Sequence, residues 1–432
     1  MEMETLTPRP TQRAPRGATR ISPSLTDLFR ASLWLGVIGF GGGVSVLGNI
    51  RHLAVERRRW VTEREFTNTA TVAQMLPGGA ASNALAHLGL RLQGLPGAVA
   101  AYTAFILPGA LLTLALAWAY VRFGIAPRAE VVLSGLNAGV VGLVAALAIQ
   151  MVRSSVGRLW QMGVAGAALL LSTAGGAASG EIAGLGIAAG LVFDLLAKRA
   201  RLARMRRAPR RRFAPKPSPP VALPDEGQPL EPLSATRAPE HHRPVLAVAP
   251  LGLAAGASAG TLLALGLLFF RTGLGAYGGG FAIVPHLHST AVDAGWITEQ
   301  QFANAVAVGK LTPGPVLLMA TFIGYVVRGF PGAIVATFTI FAAPFLLVVV
   351  LGAWLLRVRS RRWVRAALRG LTPAVVGLIA AAAVTLGGTL RGPPDVGIAA
   401  ATALTLTRFR LSPALVLVIA GTVRWALSLA GV

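Results

Sequence analysis

Two short stretches carry the residues whose types and spacing could do chemistry: Gln74-Met75-Leu76-Pro77-Gly78-Gly79 and Lys310-Leu311-Thr312-Pro313-Gly314-Pro315. Proline has no N–H for the helical ladder and glycine takes conformations other residues avoid, so each stretch interrupts the apolar helix that contains it. Two glycine runs, Gly41-Gly42-Gly43 and Gly278-Gly279-Gly280, interrupt two further apolar segments. An interrupted backbone in lipid persists only where protein buries it or it lines a watery cavity. Each break is followed by a helical stretch, starting near Val44, Ala80, Phe281 and Val316. The first N–H groups of such a stretch lack partners and carry the positive end of the helix dipole. Ser45, Ser82, Asn83 and Thr312 add short hydrogen-bonding side chains, and Lys310 and Arg271 add positive charge. Such a set suits an oxyanion better than a cation or a sugar. The candidate binding residues are Gly41, Gly42, Gly43, Ser45, Pro77, Gly78, Ser82, Asn83, Arg271, Gly278, Gly279, Gly280, Lys310, Thr312, Pro313, Gly314 and Pro315.

Plainer readings stand beside these. Glycine runs also let helices pack closely in lipid, and a lysine can snorkel to an interface. His52, His87, His286 and His288 have the chemistry of proton relays, but each reads equally as a packed or interfacial histidine. Paired His241-His242 lies in polar sequence and reads as solvated. Other chemistry finds no residues. There is no cysteine, which excludes thiol catalysis and disulfides. No Gly-x-x-x-x-Gly-Lys-Ser/Thr loop occurs, so ATP would need another subunit and no cofactor is expected. With no Ser/His/Asp spacing, paired catalytic carboxylates or metal-ligand cluster, the chain does not read as an enzyme. Acidic residues are scarce in the apolar segments apart from Asp194 and Glu181, which argues against a carboxylate-driven cation exporter.

The elements that must position these residues are apolar helices. Of 432 residues 54% are hydrophobic and 13% charged, with a mean hydropathy of +0.64. Apolar runs near 96–120, 131–152, 159–176, 182–197, 245–263, 331–356, 371–390 and 411–430 each approach the ~20 residues of a spanning helix. The expected fold is an all-α polytopic membrane protein. The net charge of +24 is not spread evenly: ten basic residues fall between Lys198 and Lys216, and others edge the apolar runs. That distribution encodes topology by the positive-inside rule. It also suits attraction to anionic lipid, and no nucleic-acid partner is expected. Residues 1–24 read as a disordered cytoplasmic tail without the apolar region of a cleavable signal. Residues 198–244 read as a basic, Pro-rich cytoplasmic linker.

The remainder is a duplication. Phe40-Gly41-Gly42-Gly43 pairs with Tyr277-Gly278-Gly279-Gly280, and Trp60-Val61-Thr62-Glu63 with Trp296-Ile297-Thr298-Glu299. Leu76-Pro77-Gly78 pairs with Thr312-Pro313-Gly314, and Gly94-Leu95-Pro96-Gly97-Ala98 with Gly329-Phe330-Pro331-Gly332-Ala333. The repeats span 25–197 and 264–432, and the unmatched segment 245–263 supplies one extra transmembrane helix. One extra crossing inverts the second repeat. The charges agree: Arg357, Arg359, Arg361, Arg362, Arg365 and Arg369 oppose a matched loop holding only Arg122, Arg128 and Glu130. Re-entrant hairpins at 24–58 and 64–92, with their counterparts, put every basic loop on one side; full crossings would not.

These motifs resemble the chromate ion transporter family in its two-domain, long-chain form. Phe40-Gly41-Gly42-Gly43, Leu76-Pro77-Gly78, Tyr277 through Pro285, Gly295-Trp296-Ile297-Thr298 and Thr312-Pro313-Gly314-Pro315 carry the resemblance. It implies gradient-driven efflux of chromate across the inner membrane, with duplicated halves of opposite orientation. The chain departs from the family pattern at Gly43 and Gly79, where proline is frequent. It departs too at Trp34, where a basic residue is common, and at Lys310, where glutamine is. Sulfate or another divalent oxyanion is the rival substrate, and a membrane scaffold or sensor acting through the basic linker is the rival class. A homodimer is left open by the sequence.

Overall fold

The computed structural model describes residues 22–39, 43–123, 127–174, 177–207, 258–409 and 411–430. Gly41, Gly42, most of the N-terminal tail, linker residues 208–244 and residues 245–257 lie outside them. The described residues form helices joined by short turns. The first repeat runs α1 (Leu25–Ile38), α2 (Gly43–Arg51, extended by one wide turn to Arg57), α3 (Glu63–Met75), α4 (Ala80–Phe123), α5 (Pro127–Ser155), α6 (Leu159–Thr173) and α7 (Ser179–Arg207). The second runs α8 (Ser258–Leu274), α9 (Val284–Ala291), α10 (Glu299–Leu311), α11 (Met319–Val358), α12 (Arg362–Gly387), α13 (Pro393–Arg408) and α14 (Pro413–Leu429).

Among the described residues, five helical stretches are long and apolar enough to cross a membrane: Ala80–Phe123, Glu130–Ser155, Ser179–Ala200, Val316–Val358 and Arg362–Gly387. The apolar runs at 159–176 and 411–430 form shorter helices, Leu159–Thr173 and Pro413–Leu429. The arms before the long helices are shorter still. α1 has 14 residues and α3 has 13, which is about 20 Å of helix at 1.5 Å per residue. A bilayer core is ~30 Å thick, so such arms reach only part of the way.

The repeated motifs explain why the arms turn where they do. Thr62 caps α3: its hydroxyl accepts from the Glu65 N–H, and the Glu65 carboxylate accepts from the Thr62 N–H at 2.9 Å. Thr298 and Gln301 do the same for α10. Just before each cap the chain closes on itself, Trp60 N–H to Ala54 O at 2.8 Å and Trp296 N–H to Ala291 O at 2.9 Å. The Trp-x-Thr motif is thus a hairpin base.

Gly94-Leu95-Pro96 and Gly329-Phe330-Pro331 are reverse turns inside α4 and α11. Gly94 has φ +65° and Gly329 φ +58°, values that favour glycine. Gly89 lies against the carbonyl of Gly97 and Gly324 against that of Gly332, so each short limb folds back on the long helix that follows.

The two repeats interlock. α5 packs on α13 and α14 of the other repeat, and α12 packs on α6 and α7. The matched glycines make this possible: Gly142 meets the Ala399 carbonyl, and Gly377 meets the Ala165 carbonyl. Two polar clusters mark opposite ends of the bundle. At one, the Arg359 guanidinium donates to Asn68 at 2.6 Å and Arg369 pairs with Asp194 at 2.8 Å. At the other, Arg391 pairs with Glu130 at 2.7 Å and donates to Gln300 at 2.9 Å.

Candidate substrate site at the four breaks

The two Pro-Gly breaks take matched conformations in the two repeats. α3 ends at Met75, Leu76 is extended, and Gly78 takes φ +103° before α4 begins at Ala80. α10 ends at Leu311, Thr312 is extended, and Gly314 takes φ +114°. A side chain at either glycine would be strained, which is why the break needs this residue type. The two turns bond across the repeats in a reciprocal way. Gly78 N–H donates to Ala276 O at 2.8 Å, just before the second glycine run, and Gly314 N–H donates to Gly39 O at 3.2 Å, just before the first.

Equivalent residues of the two repeats lie side by side here. A Cβ at Gly79 would lie 3.1 Å from the Pro315 ring, and these are matched positions. The second glycine run closes against the fourth break, since a Cβ at Gly280 would come within 2.9 Å of Leu317. Among the described residues, the second, third and fourth breaks are therefore linked around Gly79 and Pro315, and the end of α1 reaches them through Gly39.

Lys310 stands at the end of α10 with its ammonium 5.5 Å from the centre of the Phe281 ring, the residue that follows the glycine run. It makes no ion pair among the described residues, and no Asp or Glu lies in the sequence of any break. Gly278 and Gly279 are exposed, Lys310 and Gly314 half-buried. Among the described residues, these breaks bring one cation beside helix starts.

Not every candidate residue is free for a ligand. Ser82 donates its hydroxyl to Gly79 O at 2.8 Å, and the Asn83 amide donates to Pro77 O at 2.8 Å. Both hold the carbonyls of their own break, and Asn83 Oδ1 has no partner among the described residues. The Thr312 hydroxyl accepts from Thr113 of α4 at 3.2 Å. Ser45 is exposed on α2. Arg271 is exposed on α8, matching Trp34 on α1, and it makes no side-chain hydrogen bond or ion pair among the described residues.

Sequence reading passed over Thr113, over Tyr102, whose hydroxyl donates to Phe341 O at 3.0 Å, and over the buried pair Asn137 and Asn304. The available signal was a polar residue inside an apolar run. The histidines divide: His87 is buried beside Thr69 at 3.3 Å, whereas His288 pairs with Glu299 at 2.9 Å at a hairpin base. The position matching His288 is Arg51, paired with Glu63 at 2.8 Å.

The fold defines a class: an all-α polytopic membrane protein whose two halves carry matched motifs. The family described as Chromate transporter matches residues 26–193 and 263–425, and the chain belongs to that family. A "Probable chromate transport protein" of Synechococcus elongatus is 33% identical over 370 residues, covering 84% of this chain and 85% of the relative. A "Chromate transport protein" of Cupriavidus metallidurans is 31% identical over 385 residues, covering 88% and 87%. An "Uncharacterized transporter YwrA" of Bacillus subtilis is 28% identical over 164 residues, 36% of this chain but 90% of that relative. A chain of half this length thus matches one repeat's worth of sequence, as a duplication requires. No solved structure matches the chain.

Proposed function

We propose that this protein is a secondary active transporter that exports chromate across the inner membrane, with the anion bound at the four breaks. The observation that carries the proposal is the reciprocal bonding of the breaks, Gly78 to Ala276 and Gly314 to Gly39, with Lys310 beside them. In this reading the half-helix starts face a shared position, with one cation free of ion pairs among the described residues, and stabilise an oxyanion by dipole and charge together. The relatives named as chromate transport proteins supply the substrate.

In this reading the repeats are inverted, and the end carrying Arg57–Arg59 and Arg357–Arg369 faces the cytoplasm with the N-terminus and the linker. The Arg359–Asn68 and Arg369–Asp194 contacts support it, because they gather the basic loops at one end. The matched loops, around Glu130 and Glu299, are joined at the other end through Arg391 and Gln300. Two interlocked repeats related by a pseudo-two-fold suit alternating access, in which one bundle rocks against the other around a fixed site.

The test is uptake of radiolabelled chromate and sulfate into inverted vesicles, with and without an imposed proton gradient. Gradient-dependent chromate accumulation is expected. Equal, gradient-independent counts for vesicles with and without the protein would rule the reading out.

A further inference from the structure

Away from the breaks, a line of polar side chains descends from the surface into the apolar interior. It starts at Arg391, whose guanidinium is held by Glu130 at 2.7 Å. Arg391 also donates to Gln300 Oε1 at 2.9 Å, Gln300 Nε2 donates to Asn304 Oδ1 at 3.1 Å, and Asn137 Nδ2 donates to the same oxygen at 3.0 Å. Arg391 fixes every orientation in this chain, because a guanidinium has donors only. Gln300 must turn its oxygen to Arg391 and its nitrogen to Asn304. Asn304 must answer with its oxygen, and so must receive Asn137's nitrogen on that oxygen as well.

Two groups are left over at the inner end: the amide nitrogen of Asn304, a donor, and the amide oxygen of Asn137, an acceptor. Neither has a hydrogen-bond partner among the described residues, and the residues are 0% and 7% exposed. Each atom is one amide carbon from the shared bond, so the two are no more than about 8 Å apart. An unpaired buried donor and acceptor are each costly. A ligand that relieves both at once must carry an acceptor and a donor hydrogen, and a protonated oxyanion carries both.

Resting on the oxyanion-transport reading, we propose that Asn304 and Asn137 form a second oxyanion position, selective for a singly protonated tetrahedral anion. Asn304 Nδ2 donates to an anion oxygen and Asn137 Oδ1 accepts from its hydroxyl. Chromate takes up a proton near neutral pH, whereas sulfate stays fully ionised and has no hydrogen to offer. Sulfate would leave Asn137 Oδ1 facing an anion oxygen, which is lone pair against lone pair. A site built to bond a substrate hydroxyl rejects an analogue that lacks it far more strongly than an apolar pocket can. Asn137 is therefore the residue that discriminates chromate from sulfate, and the pair is closed to solvent in this conformation.

The experiment measures chromate uptake into inverted vesicles and its inhibition by sulfate, for the full chain and for Asn137→Leu, Asn304→Leu and Gln300→Leu, with melting temperatures of the purified proteins. In Asn137→Leu sulfate should compete at least about tenfold better relative to chromate, as expected when a single buried bond no longer discriminates. Asn304→Leu should weaken both anions. Gln300 is half-buried and nearer the surface; its leucine variant frees Asn304 to reverse, and should lose part of the selectivity even if the other variants do not fold. A lowered melting temperature with an unchanged chromate-to-sulfate ratio in Asn137→Leu and Gln300→Leu would make the pair a structural clamp between α5 and α10 and overturn the proposal. An unaltered protein that moves neither anion would overturn the oxyanion-transport reading itself, a separate result.

Discussion

Lys310 places a cation beside the fourth break, over the face of Phe281 and without an ion pair among the described residues. Replacing it with glutamine, the residue at the matched position Gln74, should keep transport and raise the KM for chromate. The expected loss is about 1.5–3 kcal/mol, one hydrogen bond to a charged group, and saturation kinetics in vesicles would show it. Gly314 offers a complementary test. Its φ of +114° disfavours any side chain; Gly314→Ala should cost on the order of 1–2 kcal/mol of stability and reduce transport, read from melting temperature and uptake together.

At this scale the sequence was only partly legible. Proline beside glycine announces a break whatever surrounds it, so the turns at Pro77 and Pro313 could be read directly. Ser82 and Asn83 read as ligand donors, because sequence cannot show that Gly79 and Pro77 carbonyls already occupy them. Asn137 and Asn304 lie 167 positions apart, and nothing local signals that such residues will meet.

Among elements, the hairpin limbs of α4 and α11 decide whether the breaks sit at the centre. Gly324 lies against the Gly332 carbonyl, and a Cβ added to it would come within 2.7 Å of the Ala336 methyl. Valine there should overpack the limb at a cost of about 1–3 kcal/mol, lowering the melting temperature. A methyl group added at Gly166 on α6 would meet open space, with nothing within 4 Å. Gly166→Ala should leave stability unchanged or raise it by up to about 1 kcal/mol, the helix-interior advantage of alanine. The repeated Gly-x-Pro-Gly motif was visible in sequence as a repetition. Its role as a reverse turn was not, because helix propensity says nothing of a chain doubling back after Gly94. The short helices α6 and α14 were likewise read as longer apolar runs, since hydropathy does not register where a helix is capped.

For the whole molecule, interlocking has a consequence for assembly. α5 and α12 bury themselves largely against the opposite repeat, so residues 1–207 expressed alone should be degraded. The two repeats expressed together as separate chains should accumulate and transport. Stable accumulation of one repeat by itself would contradict the packing. Engineered cysteines at 57–59 and 357–369 should label from the cytoplasm, and cysteines at 293–299 from the opposite side. Labelling of both sets from one side would remove the inversion. The duplication and the opposed loop charges were readable because both are written in residue type; the cross-repeat pairing of α5 with α13 and α14 was not, because apolar faces do not name their partners. The central claim is that the breaks hold the anion beside Lys310. It is tested most directly by the concentration dependence of radiolabelled chromate uptake into inverted vesicles, comparing the unaltered protein with Lys310→Glu at matched membrane amounts. A fixed negative charge should abolish saturable uptake, since like charges repel strongly in a low-dielectric pocket. Uptake by Lys310→Glu with an unchanged KM would contradict the account.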